Sequence, residues 1–390
     1  MRFLAYFLLL SLCLPLQAGN TAQPDPVDSD AAFALDLYHA MEAEGNLFFS
    51  PYSVATALAM TYMGARGETA AQMAEACHFA SDRERVAADF AERQKTLRSL
   101  TGDSLALYIA NALWAQRDYP FLPAFRDLVT TRFQAGYALL DFKHALADAL
   151  QTINQWVAGH TNNMIPELLT PSDLDALTRL VLTNAVYFKA NWRYTFAKQD
   201  TQRQPFYSPK GEVQVPLMHQ ENRFAYGETK DLHILELPYT KTLSMVVLLP
   251  RSRTGLPQLE KSLSPAALNT WLGMLGERKL HVYLPAFALD YRASLKAPLK
   301  ALGMVNAFGR NPDFSGMDGS RTLYISDVIH QAKVIVNEQG TEAAAATAVV
   351  MKRVSVMHTP VFRADHPFIF LIREKKTGSV LFMGRLLSPA

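Results

Sequence analysis

The sequence predicts an α+β fold organised as one large domain, and three observations carry that reading. Helical patterns crowd the first half of the 390 residues and strand patterns the second, where a parallel α/β sheet would alternate them. A long, mostly apolar run from Leu180 to Phe188 shows no exposed face and reads as a strand buried on both sides. Hydrophobic residues make up 49% of the chain and charged residues 19%, which suits an ordinary globular core and excludes a disordered or fibrous chain. The length alone would also admit two or three average domains.

The elements follow in order. Phe33, Leu35, Leu37, Tyr38 and Met41 suit an amphipathic helix starting at Ala31. Leu47 to Phe49 reads as a short strand, and Ser50-Pro51 caps a helix over Tyr52 to Met63, since proline at the first helical position lacks a donor that would be unsatisfied anyway. Gly64 and Gly67 end it, and another helix starts near Thr69. Leu105 to Trp114 is strand-like, whereas Leu150 to Gly159 and Pro171 to Leu177 look helical. After the buried strand come two more, Ile234 to Leu237 and Leu243 to Leu249, separated by a turn at Tyr239 to Thr242. A helical stretch from Pro257 to Leu275 precedes a strand, Lys279 to Leu284, and a helix, Leu295 to Leu302. His366 to Arg373 and Ser379 to Met383, with a turn at Glu374 to Gly378, form a C-terminal hairpin.

Residues 1–18 carry one basic residue, Arg2, then an apolar run from Phe3 to Leu16 and the ending Leu16-Gln17-Ala18. That is the build of a secretory signal peptide, too short to span a bilayer, with cleavage expected after Ala18. Residues 19–30 are expected to be a flexible lead-in, and 31–390 the domain. The mature chain would keep only Cys77, so no internal disulfide can form, and a buried inert thiol is expected there. Net charge is +2, which demands neither nucleic acid nor an anionic membrane. The chain lacks His-Glu-x-x-His, Cys-x-x-Cys, the phosphate-cradling Gly-x-x-x-x-Gly-Lys and the Gly-x-Ser-x-Gly elbow. No enzyme, metal or cofactor is expected.

The most informative stretch is Gly340 to Val350, small, nearly uncharged and free of proline. Propensity favours a helix, because alanine is the best helix former. Read at period two, however, Thr341, Ala343, Ala345, Thr347, Val349 and Met351 share one face, and Glu342, Ala344, Ala346, Ala348, Val350 and Lys352 the other. Such a segment could enter the middle of a sheet without burying a charge, except near its ends. On these residues alone both readings stay open.

Several stretches in order resemble the serpins, the serine-protease-inhibitor superfamily, from about Ala31 to Pro389. They are Asn46-Leu-Phe-Phe-Ser-Pro-Tyr-Ser53, Leu180 to Trp192, Leu235-Glu-Leu-Pro-Tyr239, Leu243 to Pro250, Asp313-Phe-Ser-Gly-Met317, Ile325 to His330, Phe362 to Phe368 and Leu381 to Leu386. The resemblance implies the serpin fold: three β-sheets, eight or nine helices and an exposed reactive-centre loop near the C-terminus. It implies a hinge at Glu338, Gly340, Thr341, Glu342, Ala343, Ala344, Ala345, Ala346 and Thr347. In the family, as is known, a protease cleaves the loop and is acylated by it, and the freed hinge inserts into the main sheet, carrying the protease with it. Thr341 to Val354 is fourteen residues, roughly 46 Å as a strand at ~3.3 Å per residue, long enough to cross a large sheet.

Family spacing implies a reactive bond at Val354-Ser355. Val354 suits the small apolar pocket of an elastase-like serine protease. The alternative is Arg353-Val354, where Lys352-Arg353 would attract a trypsin-like one. The resemblance further implies a polar shutter of Ser53, Asn184 and His330 under the centre of the main sheet, and Trp192 at the breach where insertion starts. Taken singly, each is an ordinary core residue. Tyr52 departs from the smaller aliphatic residues common at its position. The expectation is a secreted (extracellular or periplasmic), monomeric inhibitor of serine proteases, with papain-like cysteine proteases a further candidate class. A non-inhibitory carrier or chaperone on the same fold is the alternative.

Overall fold

The computed structural model describes residues 26–41, 44–309, 311–341 and 359–389. The remaining hinge positions Glu342 to Thr347 and the reactive-bond residues Arg353, Val354 and Ser355 lie outside them.

The first half carries α1 (Pro26–Ala40), β1 (Leu47–Phe49), α2 (Pro51–Gly64), α3 (Gly67–Ala76), α4 (Arg83–Leu100), β2 (Leu105–Gln116), α5 (Pro123–Arg132), β3 (Gly136–Leu140), α6 (Leu146–His160) and β4 (Leu180–Asn191). Strands then dominate: β5 (Gln202–Ser208), β6 (Gly211–Glu228), β7 (Leu232–Pro238) and β8 (Leu243–Pro250). Two helices, α7 (Leu256–Ser262) and α8 (Pro265–Gly273), precede β9 (Gly276–Pro285) and β10 (Phe287–Ser294). Two short helices, α9 (Lys296–Ala301) and α10 (Ser315–Asp318), lead to β11 (Asp327–Asn337), β12 (Gly340–Thr341), β13 (Val361–Arg363), β14 (Phe368–Glu374) and β15 (Val380–Leu386).

The architecture is the α+β one that the sequence predicts. One sheet has six strands in the order β10-β11-β12-β4-β2-β3. The other ladder has nine, in the order β1-β15-β14-β8-β7-β6-β9-β13, with β5 also on β6. It divides into two parts at the 18-residue β6, which pairs with β5 and β9 along most of its length and with β7 only over Ala225 to Glu228. The three sheets of the family pattern are thus present as one separate sheet and two that share this strand.

Some boundaries differ from expectation for local reasons. The first helix begins at Pro26, so the last residues of the expected lead-in belong to it, and the Asp30 carboxylate accepts bonds from Arg93 and from Ser379 Oγ (3.0 Å). Pro171 to Leu177 is not a helix but a single 3-10 turn, Pro171–Asp173. There the Asp175 carboxylate takes the Leu177 N–H at 2.8 Å, a local bond that competes with helix continuation. Pro257 to Leu275 splits in two because Ser264 caps a new helix, its Oγ accepting from Ala267 N–H at 3.2 Å, and Pro265 has no N–H to continue the old one.

The main core lies between the two layers and encloses α2, every residue of which is buried. Ser50 caps α2 as predicted, its Oγ accepting from Ser53 N–H at 3.1 Å. A second, smaller cluster covers the other face of the six-stranded sheet, where Ile153 and Val157 of α6 meet Trp114, Val181, Ala185 and Ile329. Even-numbered residues of β4, such as Leu182 and Phe188, therefore face the main core, and odd-numbered ones the α6 side.

Candidate functional site

β4 and β11 run parallel and paired over Val181 to Phe188 and Asp327 to Val334. Beyond that stretch they part. The chain reverses after β11 at Glu338 and Gln339, and Gly340 and Thr341 enter the parted end antiparallel to both neighbours. Thr341 stands opposite Val336 on one side and Ala190 on the other, and Gly340 opposite Asn337 and Asn191.

Backbone geometry demands glycine at 340. Its φ is +152°, and a Cβ there would lie 2.1 Å from the Ala190 carbonyl oxygen. Thr341 is fully buried, and its Oγ1 lies 2.9 Å from the Tyr239 hydroxyl. Burial pushes the Tyr239 phenol far above its ordinary range, so it stays a neutral hydroxyl. Trp192 stacks on Tyr239 with ring centroids 4.3 Å apart and planes 7° from parallel, and its indole Nε1 donates to the Asn337 carbonyl at 3.0 Å. The reversal is held by Trp192 N–H to Gln339 O (2.8 Å), Phe196 N–H to Glu338 O (2.7 Å) and Thr201 Oγ1 to the Glu338 carboxylate (2.9 Å). The strand nucleus at 340–341 is therefore built into the sheet, with its first side chain directed into the main core.

Further down the same seam, Ser53, Asn184 and His330 converge. Asn184 Nδ2 donates to Ser53 Oγ at 2.6 Å and also to Asn111 Oδ1. Ser53 Oγ donates to Asn111 Oδ1 at 3.1 Å, and His330 Nδ1 meets Asn184 Oδ1. Ser50 N–H donates to His330 Nε2 at 3.2 Å, so the partners set the tautomer: a neutral ring with its proton on Nδ1. Complete burial pushes the His330 pKa down to about 3. Register explains the meeting, since Asn184 pairs directly with Asn111 on β2 and with His330 on β11. The cluster links β2, β4, β11 and the start of α2 through directional hydrogen bonds inside the core. Tyr52 stays outside it, its ring packed at 6.4 Å against Phe90 of α4.

Sequence reasoning assigned site roles to Ser53, Asn184, His330 and Trp192 but none to Asn111, nor to Ser50 and Tyr239, which it met only as a helix cap and as part of a family stretch. The available signal for Asn111 was a lone amide in the apolar strand Ile109-Ala110-Asn111-Ala112-Leu113. For Tyr239 the signal was its place at the end of the family-like stretch Leu235-Glu-Leu-Pro-Tyr239, outweighed by a turn-flanking position that looks like surface. Among the described residues no group of three or more His, Cys, Asp or Glu could hold a metal ion, and no helix is long and apolar enough to cross a membrane.

The profile of the family described as serpin (serine protease inhibitor) matches residues 28–389. The leukocyte elastase inhibitor of Homo sapiens is 42% identical over 375 residues, covering 93% of this chain and 98% of that protein. Among solved structures, uncleaved ovalbumin superposes with a TM-score of 0.86 at 30% identity, covering 94% of this chain and all of that one. The native state of the thermophilic serpin tengpin gives 0.85 at 27% identity, covering 93% and 94%.

Proposed function

The chain belongs to the serpin family, and from that premise we propose that it is an exported suicide-substrate inhibitor of serine proteases, elastase-like ones first. The observation that carries the reading is the pair Gly340–Thr341, already hydrogen-bonded between β4 and β11 with the rest of the small-residue run behind it. Continuing that register by one residue at a time would bring Ala343 opposite Phe188 and Val334, Ala345 opposite Val186 and Ala332, and Thr347 opposite Asn184 and His330. Each lies on the face that Thr341 directs into the core, so each must be small and uncharged. Ala344, Ala346 and Ala348 would face α6.

In this mechanism the protease serine Oγ attacks the Val354 carbonyl carbon, an ester forms, and the Val354-Ser355 amide breaks with Ser355 leaving as a free amine. The acylated hinge then zips into the seam, forming ladder bonds to β4 and β11, and insertion competes with hydrolysis of the ester. Val354 and the resemblance to a leukocyte elastase inhibitor support an elastase-like target. Arg353 behind Lys352 favours a trypsin-like protease as the second reading. Arg2 followed by the apolar run to Leu16 supports export.

Incubation with pancreatic-type elastase tests the proposal. A covalent complex that survives boiling in SDS, with release of a C-terminal peptide beginning at Ser355, is expected. A peptide beginning at Val354, obtained with trypsin, would select the second reading. Clean cleavage without complex by every protease tried would defeat both.

A further inference from the structure

We infer that Arg292 of β10 is a clasp that holds the segment after α6 across the seam and slows its opening. The inference rests on the insertion reading above. It starts from the outer face of the six-stranded sheet, where α6 and residues 161–174 bridge both sides of the β4–β11 boundary.

On one side, α6 is seated on β2 and β3. Trp156 packs edge-on against Trp114 with centroids 5.4 Å apart, and it lies so close to Gly136 that a Cβ there would stand 2.5 Å from its ring. The helix is tied to its own trailing segment by Asn154, whose Oδ1 accepts from Leu168 N–H (3.1 Å) and Leu169 N–H (2.8 Å) and whose Nδ2 donates to Leu169 O (2.8 Å). On the other side, the Arg292 guanidinium donates to the Leu168 carbonyl and to the Asp173 carboxylate. Lys333 of β11 adds a longer bond from Nζ to Met164 O, 3.4 Å. The same few residues are therefore gripped from both halves of the sheet.

A strand entering between β4 and β11 moves those halves apart by one inter-strand spacing, about 4.8 Å. The hydrogen bonds of Arg292 tolerate no such displacement, because they weaken steeply beyond ordinary length. Either the α6 seat or the clasp must let go. The α6 seat is apolar and close-packed around Ile153, Val157 and Trp114, whereas the clasp is a few polar bonds on a side chain 30% exposed. The clasp is the weaker link. A second observation falls at the same place: Gln331, opposite Arg292 in the ladder, has a buried Oε1 with no hydrogen-bond partner while its Nε2 donates to Asp290 at 2.6 Å. A buried acceptor left unmade favours any state that exposes it.

The test anneals a synthetic peptide with the sequence of residues 341–354 to the intact protein, following uptake by native gel and by melting. Arg292→Met keeps the aliphatic stem and is expected to take up peptide about three- to tenfold faster than wild type. Arg292→Lys, which keeps a charge near Asp173, should fall between. A lower melting temperature is expected for the peptide-free Met variant, and no change for the peptide-bound form, in which the clasp is already open. An unchanged uptake rate, or an equal loss of stability in both forms, would mean that Arg292 is only a structural tie. Failure of both wild type and Arg292→Met to take up peptide would overturn the insertion reading, and the brake with it.

Discussion

Tyr239 and Thr341, 102 residues apart, are both fully buried and share a hydrogen bond of 2.9 Å at the parted end of the six-stranded sheet. The bond fixes the Thr341 side chain in the main core. It also secures the short strand Gly340–Thr341 between β4 and β11.

Tyr239→Phe should weaken the native form. It leaves the stack on Trp192 in place but strips Thr341 Oγ1 of its partner, which costs about 1–3 kcal/mol when the orphaned group is buried. Urea unfolding of the uncleaved protein measures this, and Tyr239→Phe combined with Thr341→Val should recover most of the loss.

Thr341→Arg should turn the inhibitor into a substrate. Thr341 is already buried in the seam beside Tyr239, so an arginine there would be expelled from the sheet, taking with it the strand nucleus from which insertion proceeds, and the ester hydrolyses first. Gel analysis with elastase should show cleavage at the unchanged bond and no SDS-stable complex. Retention of the complex would contradict the inward assignment of position 341.

Gly340→Ala should cost about 2–4 kcal/mol, through the positive φ and the close approach to Ala190. Thermal melting reports the loss. A neutral result would mean that the strand nucleus is not held as described.

Stability should fall in acid through His330. Its folded pKa of about 3 lies below the unfolded value of ~6.5, so the unfolded chain takes up the proton first. The contribution is complete above about pH 6.5 and is lost progressively as pH falls towards 3, amounting to about 2 kcal/mol at pH 5. Denaturant titrations at pH 7 and pH 5 should show this slope in wild type and a shallower one in His330→Gln. Equal slopes would show that the histidine is not held neutral.

Much of the fold was legible because long-range order here follows local pattern. The apolar run at Leu180, the Ser50-Pro51 cap and the two apolar strands of the C-terminal hairpin each announce their element. Helix ends were read less well, since the Asp175 and Ser264 side chains stop helices by single hydrogen bonds that periodicity does not register. The site divides in the same way. Gly340 and the small residues after it carry a compositional signal, and Ser53, Asn184, His330 and Trp192 were reached through the family resemblance. Tyr239 and Asn111 depend on register, because only the pairing of β2, β4 and β11 brings Asn111 beside Asn184. Arg292 reaches Asp173 across 119 residues, a contact that no local pattern encodes.

The most direct test of the account is the melting temperature before and after a single cut in the segment 342–358. Insertion behind Gly340–Thr341 would complete a six-stranded sheet with a full central strand, and the cleaved protein should melt at least about 10 °C higher than the intact one. An unchanged or lowered melting temperature after the cut would contradict a strand held in waiting.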